Sequence, residues 1–563
     1  MIVRARQDAS GSSIDASIRA VGGSAGRSLS LINSRVVELP NAALAALARN
    51  PMIERVSIDR EVVGAMERTS GTIGATAVRQ SYGYDGAGIG VAVIDSGVLA
   101  AHDDLAGAGG GPRITAFVDF VNGGAAAYDD YGHGTHVSGI VAGNGFDSGG
   151  ARTGVAPGSD LIVLKVLDAN GRGRISDVIA ALEYTIANKD ALGIRVVNLS
   201  VATGVYESYN TDPLTVAARR AVESGLVVVA ASGNNGRDAQ GRTHHGGVTA
   251  PGNAPWVLTV GASSHMGTID RGDDTIAPFS SRGPSAIDYS AKPDVVAPGV
   301  GIESLSDPDG TLYSTYGGYL LPGTVARSFL PYLSLTGSSM SAPVVSGTVA
   351  LMLQANPSLT PNAVKAILQY TAEYSSQYDP LTQGAGFLNA KGAVGLARYL
   401  GSPSSVQYPN FKTWGRRLMW GNRLLQGGRL RADVNAWATD VTWGAPLTPG
   451  GQSVEWGVLC STANCNSIIG PWRAESAQGV NVVWGPACGG LDCQTPWTGE
   501  IWGTTDEGDT VVWGTADEGD TVVWGTTDEG DTVVWGTTDG EDTVVWGTSC
   551  TDPACEPTIW KTP

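Results

Sequence analysis

Between residues 72 and 400, short apolar runs alternate with stretches patterned as helices. The runs lie at 91–94, 160–166, 196–199, 226–231 and 257–260, and helical spacing is clear at 176–188 and 214–223. A strand that is apolar on both faces needs cover on both faces, and helices between successive strands supply it. The pattern therefore predicts an α/β fold, a parallel sheet with helices on both sides. Sites in such sheets lie beyond the carboxyl ends of the strands. Asp95 follows the run 91–94 directly, so it stands where a site is expected.

Three separated stretches carry an acid, a base and a nucleophile. They are Val91-Ala92-Val93-Ile94-Asp95-Ser96-Gly97, Gly132-His133-Gly134-Thr135-His136 and Gly337-Ser338-Ser339-Met340-Ser341-Ala342-Pro343. A serine hydroxyl is a weak nucleophile at neutral pH. It needs a base within hydrogen-bond reach, and that base needs a third group to fix its tautomer. Ser339 reads as a tight turn into a helix, where backbone N–H groups face a developing negative charge. Alone, Ser339 would read as a helix cap and His133 as structural, as His136 does. Together with Asp95 they read as one catalytic set. An esterase is disfavoured, because residues 337–341 do not form Gly-x-Ser-x-Gly.

The flanks differ in character. Residues 1–66 alternate as β-α-β-β-α-β, with Ile14, Ile18 and Val21 on one helix face, strand-like residues over 29–39 and 53–63, and Asn41 placed to cap a second helix. Residues 401–563 hold 14 of the 15 tryptophans. There the segment Asp-Glu-Gly-Asp-Thr-Val-Val-Trp-Gly-Thr recurs every eleven residues, setting Trp502, Trp513, Trp524, Trp535 and Trp546 in register. Stacked units could bury a tryptophan ladder that one unit could not. A β-solenoid, hairpins and a loosely ordered tail all fit, as do a solvated acidic face and calcium-binding turns.

Net charge is −18, and residues 501–548 hold 12 carboxylates with no Lys or Arg, which makes nucleic acid an unsuitable partner. The six cysteines fall into three C-x4-C pairs, 460/465, 488/493 and 550/555. These fit three small-loop disulfides in an oxidising compartment, or a zinc site of four converging thiolates. No apolar run reaches the ~18–20 residues of a transmembrane helix. The first residues, Met-Ile-Val-Arg-Ala-Arg, lack the apolar core of a signal peptide. That leaves an export signal not visible in this chain, a misplaced gene start or a cytoplasmic home, and the cysteine pattern argues against the last.

The three motifs, in the order Asp, His, Ser, resemble those of subtilisin-like serine proteases, the subtilases. Gly154-Val155-Ala156-Pro157, Phe279-Ser280-Ser281-Arg282-Gly283-Pro284 and Lys292-Pro293-Asp294-Val295-Val296-Ala297-Pro298-Gly299 add to the likeness, which covers about 72–400. The resemblance implies catalytic roles for Asp95, His133 and Ser339, and an oxyanion donor at Asn234, with neighbouring Asn235 as the alternative. It implies that Ser200-Val201-Ala202 pairs with the substrate backbone, although the usual pattern is Ser-Leu-Gly. Gly171 and Gly173 should line the opposite wall, and Thr249 the base of the first specificity pocket, with small or apolar side chains around it. It implies no cofactor for catalysis, and structural calcium with Asp104 as a ligand beside the loop 144–152.

The expected organisation is an inhibitory propeptide at 1–70, ferredoxin-like and released by cleavage between about 63 and 75. A peptidase domain at 71–400 and a β-rich repeat region at 401–563 follow. The expected activity is that of a secreted, self-processing serine endopeptidase acting on proteins or peptides, with its own propeptide as intramolecular inhibitor. A surface-binding or adhesive protein, whose Trp repeats meet a surface or matrix ligand, is the alternative.

Overall fold

The computed structural model describes residues 2–6, 11–29, 34–57, 65–107, 111, 113–238 and 240–454, and short strands between 458 and 534. It divides into two compact units, Met1–Val63 and Gly64–Pro563.

The first unit runs β1 (Ile2–Ala5), α1 (Gly11–Ala20), β2 (Ser24–Leu29), β3 (Ser34–Glu38), α2 (Leu44–Ala48) and β4 (Ile53–Ser57). Its antiparallel sheet has the order β2-β3-β1-β4. Ile14 and Ile18, one turn apart on α1, are buried with Val3, Val37, Leu47 and Ile53. The single strand expected over 29–39 is instead the end of β2 and the whole of β3. The strand expected over 53–63 is described only as far as Ser57; residues 58–64 lie outside the described set.

The second unit opens with α3 (Ala65–Thr72), α4 (Ala75–Tyr82), β5 (Gly90–Asp95), β6 (Ile114–Asp119), α5 (His133–Ala142), β7 (Asp160–Lys165), α6 (Ile175–Asn188), β8 (Ile194–Leu199), α7 (Pro213–Glu223), β9 (Val227–Ala231) and β10 (Leu258–Ser264). It continues with β11 (Thr275–Ile276), β12 (Val295–Pro298), β13 (Ile302–Leu305), α8 (Thr311–Thr315), β14 (Leu320–Leu321), β15 (Tyr332–Leu335), α9 (Ser338–Ala355), α10 (Pro361–Thr371), α11 (Pro380–Gln383) and α12 (Ala390–Gly401). In the main sheet the strands neighbour in the order β11-β10-β9-β8-β5-β7-β6, and β12 also pairs with β10. All these pairings are parallel except that of β11.

β5 explains why the runs read as wholly apolar. Val91 and Val93 pack into the layer that holds α5 and α9, while Ala92 and Ile94 pack into the layer of α6 and α7. α9 is buried almost all round, and Val344, Val345, Val349, Leu351 and Met352 have no exposed surface. A helix apolar on every side belongs inside a large core.

Neither expected boundary coincides with the packing. At the front, α3 belongs to the second unit: Thr69 and Ser70 are buried, Thr72 Oγ1 donates to the Thr268 carbonyl (3.0 Å), and Arg271 donates to the Thr72 carbonyl (3.2 Å). At the back, the chain stays in the core well past residue 400. β16 (Arg417–Trp420) lies against α10, Leu425 of β17 (Arg423–Gln426) and Leu430 of β18 (Arg429–Leu430) are buried in the main cluster, and Trp414, Trp420, Trp437 and Trp443 join it. Asn362 on α10 donates to the carbonyls of Ala436 (3.0 Å) and Val441 (2.8 Å). Gln369 accepts from the Met419 N–H (2.7 Å). The rings of Trp420 and Trp443 lie 4.7 Å apart, and the Cα atoms of Gly421 and Gly444 meet where neither residue carries a side chain.

Beyond 454 the described backbone consists of short strands. Residues 472–475 pair with 481–484, 502–504 with 510–511 and 523–526 with 532–534, all antiparallel. The cysteines, Trp513, Trp535 and Trp546 lie outside the described residues. Among the described residues no helix is long and apolar enough to cross a membrane.

Beneath Trp443 lies a buried charge cluster. Lys292 and Lys365 share Asp294, at 3.0 and 2.9 Å, and the Lys365 ammonium sits 4.8 Å from the Trp443 ring. Burial pushes Lys365 down to about 7, against the pull of Asp294 and with the help of Lys292. Between pH 7 and ~10 Lys365 is more protonated in the unfolded chain, where a lysine titrates near 10.4, than in the folded one. The contribution of Lys365 to stability should therefore rise with pH across that window. Denaturant midpoints should show this rise, and Lys365→Met should flatten it. A chain ending at 400 should be insoluble or unfolded, whereas one ending at 454 should keep the cooperative melting of the full chain; circular dichroism distinguishes them.

Candidate active site

The carboxyl end of β5 meets the amino end of α5. The approach is close enough that a Cβ on Gly134 would overlap the Gly97 carbonyl oxygen. Gly97 itself has φ +124° and lies against the Tyr128 carbonyl, a place and conformation that suit glycine alone. This contact puts Asp95 Oδ1 2.7 Å from His133 Nδ1. Asp95 is fully buried, and its Oδ1 also accepts the Ser96 N–H at 2.8 Å. The imidazole is partly open to solvent, its side chain 14% exposed.

Asp129, which the sequence patterns did not single out, holds this junction. Its Oδ1 accepts from the Gly132 N–H and the Ser96 hydroxyl, both at 2.8 Å. Its Oδ2 accepts from the Thr135 N–H and hydroxyl, both at 2.7 Å, and Ser96 Oγ accepts from the Gly134 N–H at 2.8 Å. A carboxylate is thus placed over the first turn of α5, where free N–H groups and the helix dipole favour negative charge. The only signal in the sequence was an Asp four residues before His133, at capping distance from a helix start. Lys165, level with Asp95 in the sheet, closes the other side by donating to the Ser96 carbonyl (2.6 Å), the Leu167 carbonyl (2.7 Å) and Asp130 (2.6 Å).

Ser339 occupies the first turn of α9. Pro343 sits inside that helix and has no N–H to bond the Ser339 carbonyl. The Ser200 hydroxyl donates to that carbonyl instead (2.8 Å), while the Ser339 hydroxyl donates to the Ser200 carbonyl (3.1 Å). Asn234 follows β9 and faces the same turn. Its Oδ1 accepts from the Ser338 N–H and hydroxyl, both at 2.9 Å, so its Nδ2 group is not spent on that turn. Asn235 is committed elsewhere, with its amide donating to the Gly247 carbonyl (3.3 Å).

A cleft of about 530 Å³ runs between two segments, bringing Gly171 and Gly173 together with His133, Ser200, Val201 and Ala202; Leu167, Ile175, Val178 and Leu214 make its apolar part. Thr249 is not among its lining residues; it lies beside Gly233, bonded to the Ser232 carbonyl (3.2 Å). His136 is structural. Burial, then the neighbouring His133, pushes it down to about 3, and its Nε2 bridges the Ile302 and Leu333 carbonyls.

Asp104 lies apart from the cleft, in a cluster with His102 and Asp147. These donors do not fit calcium, which takes 6–8 oxygens at about 2.3–2.6 Å. Both Asp104 oxygens are already bonded, Oδ1 to the Asp147 N–H (2.7 Å) and Oδ2 to the Tyr332 hydroxyl (2.8 Å).

Comparison with known proteins gives the family. The model of the Subtilase family (Peptidase_S8) matches residues 86–393. The chain belongs to the subtilase family. It is 36% identical over 361 residues to the serine protease AprX of Bacillus subtilis, covering 63% of this chain and 77% of that protein. Subtilisin DY of Bacillus licheniformis is 33% identical over 315 residues, 56% of this chain and 94% of that one. An extracellular serine proteinase of a Thermus species is 31% identical over 345 residues, 60% and 70% respectively. This subtilase is a subtilisin-like serine endopeptidase, a hydrolase of a family that needs no cofactor for catalysis.

The electrostatics of this subtilase suit a base that works near neutrality. Burial pushes the His133 imidazole down, but the charge and hydrogen bond of Asp95, with Asp129 behind it, outweigh burial and leave it above its ordinary value. The acid limb of kcat/KM should therefore lie above pH 6.5. Asp129→Asn should move that limb to lower pH and reduce kcat several-fold; pH–rate profiles of the two proteins check both.

Proposed function

We propose that this protein is a secreted endopeptidase, made as a self-processing zymogen, that cleaves peptide bonds through Asp95, His133 and Ser339. The observation that carries the reading is the 2.7 Å contact between buried Asp95 and His133 at the end of β5. The residues act in sequence. The Ser339 oxygen attacks the scissile carbonyl carbon while His133 Nε2 takes its proton. Asp95 holds the Nδ1–H and stabilises the imidazolium that results. The carbonyl π-bond opens to an oxyanion, which faces the Ser339 N–H at the start of α9 and the Nδ2 group of Asn234. Collapse breaks the C–N bond, and His133 gives its proton to the departing amine. Water then attacks the acyl-enzyme by the same route.

The resting bond of the Ser339 hydroxyl to the Ser200 carbonyl fits this sequence. A substrate strand paired along 200–202 brings an N–H to that carbonyl and releases the hydroxyl toward His133. The apolar lining of the cleft supports substrates with apolar side chains there.

The first unit is proposed as the inhibitory propeptide. Its βαββαβ order and four-stranded antiparallel sheet support the ferredoxin-like reading. Because α3 is packed into the second unit, release is proposed on the amino side of Ala65. The three C-x4-C spacings, read as small-loop disulfides, support secretion into an oxidising compartment.

Ser339→Ala should abolish both casein hydrolysis and release of the first unit; maturation and casein hydrolysis by the purified variant would refute the mechanism. Asn234→Leu should lower kcat by about 10²–10³ with KM little changed, a magnitude known for the corresponding donor of subtilisin rather than derived from this structure. Mass spectrometry of the mature protein should place its amino terminus at or before Ala65.

A further inference from the structure

The loop 144–152 and the segment 316–331 enclose a buried cluster of carboxylates. Asp104 and Asp147 have at most 1% of their surface exposed, and Asp103 stands at the rim. Buried carboxylates need a cation or a full set of donors. In a loop built around a metal ion, backbone carbonyls and carboxylate oxygens converge on an open position. Here they are turned to donors of the chain itself.

The cation present is Arg327. Its Nε and Nη2 groups donate to Asp147 Oδ1 at 2.8 and 2.7 Å, and Nη2 also pairs with Asp103. The Asp147 carbonyl accepts from the Thr324 N–H (2.7 Å) and hydroxyl (3.2 Å), three residues before that arginine. The Gly145 carbonyl accepts from the N–H groups of Ser148 and Gly150. His102 is equally committed: Nδ1 accepts the Asp104 N–H (3.2 Å), so Nε2 carries the proton and donates to the Pro331 carbonyl (3.1 Å). Behind the Tyr332 hydroxyl that bonds Asp104, the Arg152 guanidinium covers the tyrosine ring at 4.7 Å.

We propose that the Arg327 guanidinium takes the place of a metal ion at this loop, so that the subtilase fold is held here by an internal cation and not by calcium. The planar fork suits the role, because it satisfies two carboxylates at once and never loses its charge. The chain just before this segment, at Thr311 and Leu312, reaches the loop ahead of His133. Thr311 and Leu312 donate to the carbonyls of Asp130 and Tyr131, just before His133, and the Thr311 hydroxyl donates to the Ala169 carbonyl. The arginine thus anchors one end of a strap whose other end braces the catalytic histidine's loop.

The test uses full-length Ser339→Ala protein, which cannot digest itself, and reads bound calcium per chain and melting temperature in EGTA and in millimolar calcium chloride. Asp147→Asn in that background should leave the calcium count unchanged. Arg327→Ala should melt on the order of 5–10 °C lower in EGTA. It should regain most of that loss in calcium and hold one more calcium ion per chain. A calcium ion lost on Asp147→Asn would overturn the proposal. So would an Arg327→Ala protein that melts unchanged in EGTA, or one whose loss calcium does not reverse. If Arg327→Ala does not fold, the Asp147→Asn count still decides.

Discussion

Burial of α9 is the constraint on which the rest of the peptidase unit depends. Eighteen residues, a rod of about 27 Å, pass through the middle of the core between α5 and the strands β8, β9, β10 and β12. Its first turn cannot shift without moving that whole interface. Ser339 therefore inherits the rigidity of the core while standing at its edge. Pro343 adds a local consequence: the carbonyl it leaves without a helical donor becomes the anchor for Ser200. One helix thus sets the proposed nucleophile, the wall of the cleft and, through Ser338, the orientation of Asn234.

The opposite side of the site is built by electrostatics more than by packing. Asp95 and Asp129 are both buried and lie on either side of the start of α5; one holds the imidazole and the other the helix turn that carries it. Lys165, on the neighbouring strand, pairs with Asp130 and holds the Ser96 carbonyl between them. The arrangement keeps His133 basic enough to accept a proton while its outer edge stays wet.

The strands and helices of the sheet were legible in the sequence because their apolar runs obey a simple period. β5, β7, β8, β9 and β10 begin and end within a few residues of the runs that predicted them. The three motifs were legible for a different reason: their residue types have few chemical uses in that combination. Asp129 was not legible, since an aspartate before a helix start is ordinary and only its two-sided bonding makes it special. The role of residues 401–454 was hidden too. The repeat region was expected to begin at 401, yet Trp414, Trp420 and Trp443 complete the core over α10. At Asp104 the likeness pointed to a calcium ligand, whereas its oxygens bond the Asp147 N–H and the Tyr332 hydroxyl; Arg327, the cation on neighbouring Asp103, comes from more than 200 residues away and could not be placed from the sequence.

The packing of Trp414 to Val454 also has a consequence in time. A ribosome makes Ser339 about 115 residues before Val454, which at ordinary synthesis rates is about ten seconds. During that interval every group of the proposed triad has been synthesised, but the apolar face of α10 and the cluster around Lys365 still lack their cover. The nascent chain carries its chemistry before it carries the core that makes the chemistry rigid. A protease that completes its core last is a protease that is slow to become dangerous to the cell that makes it.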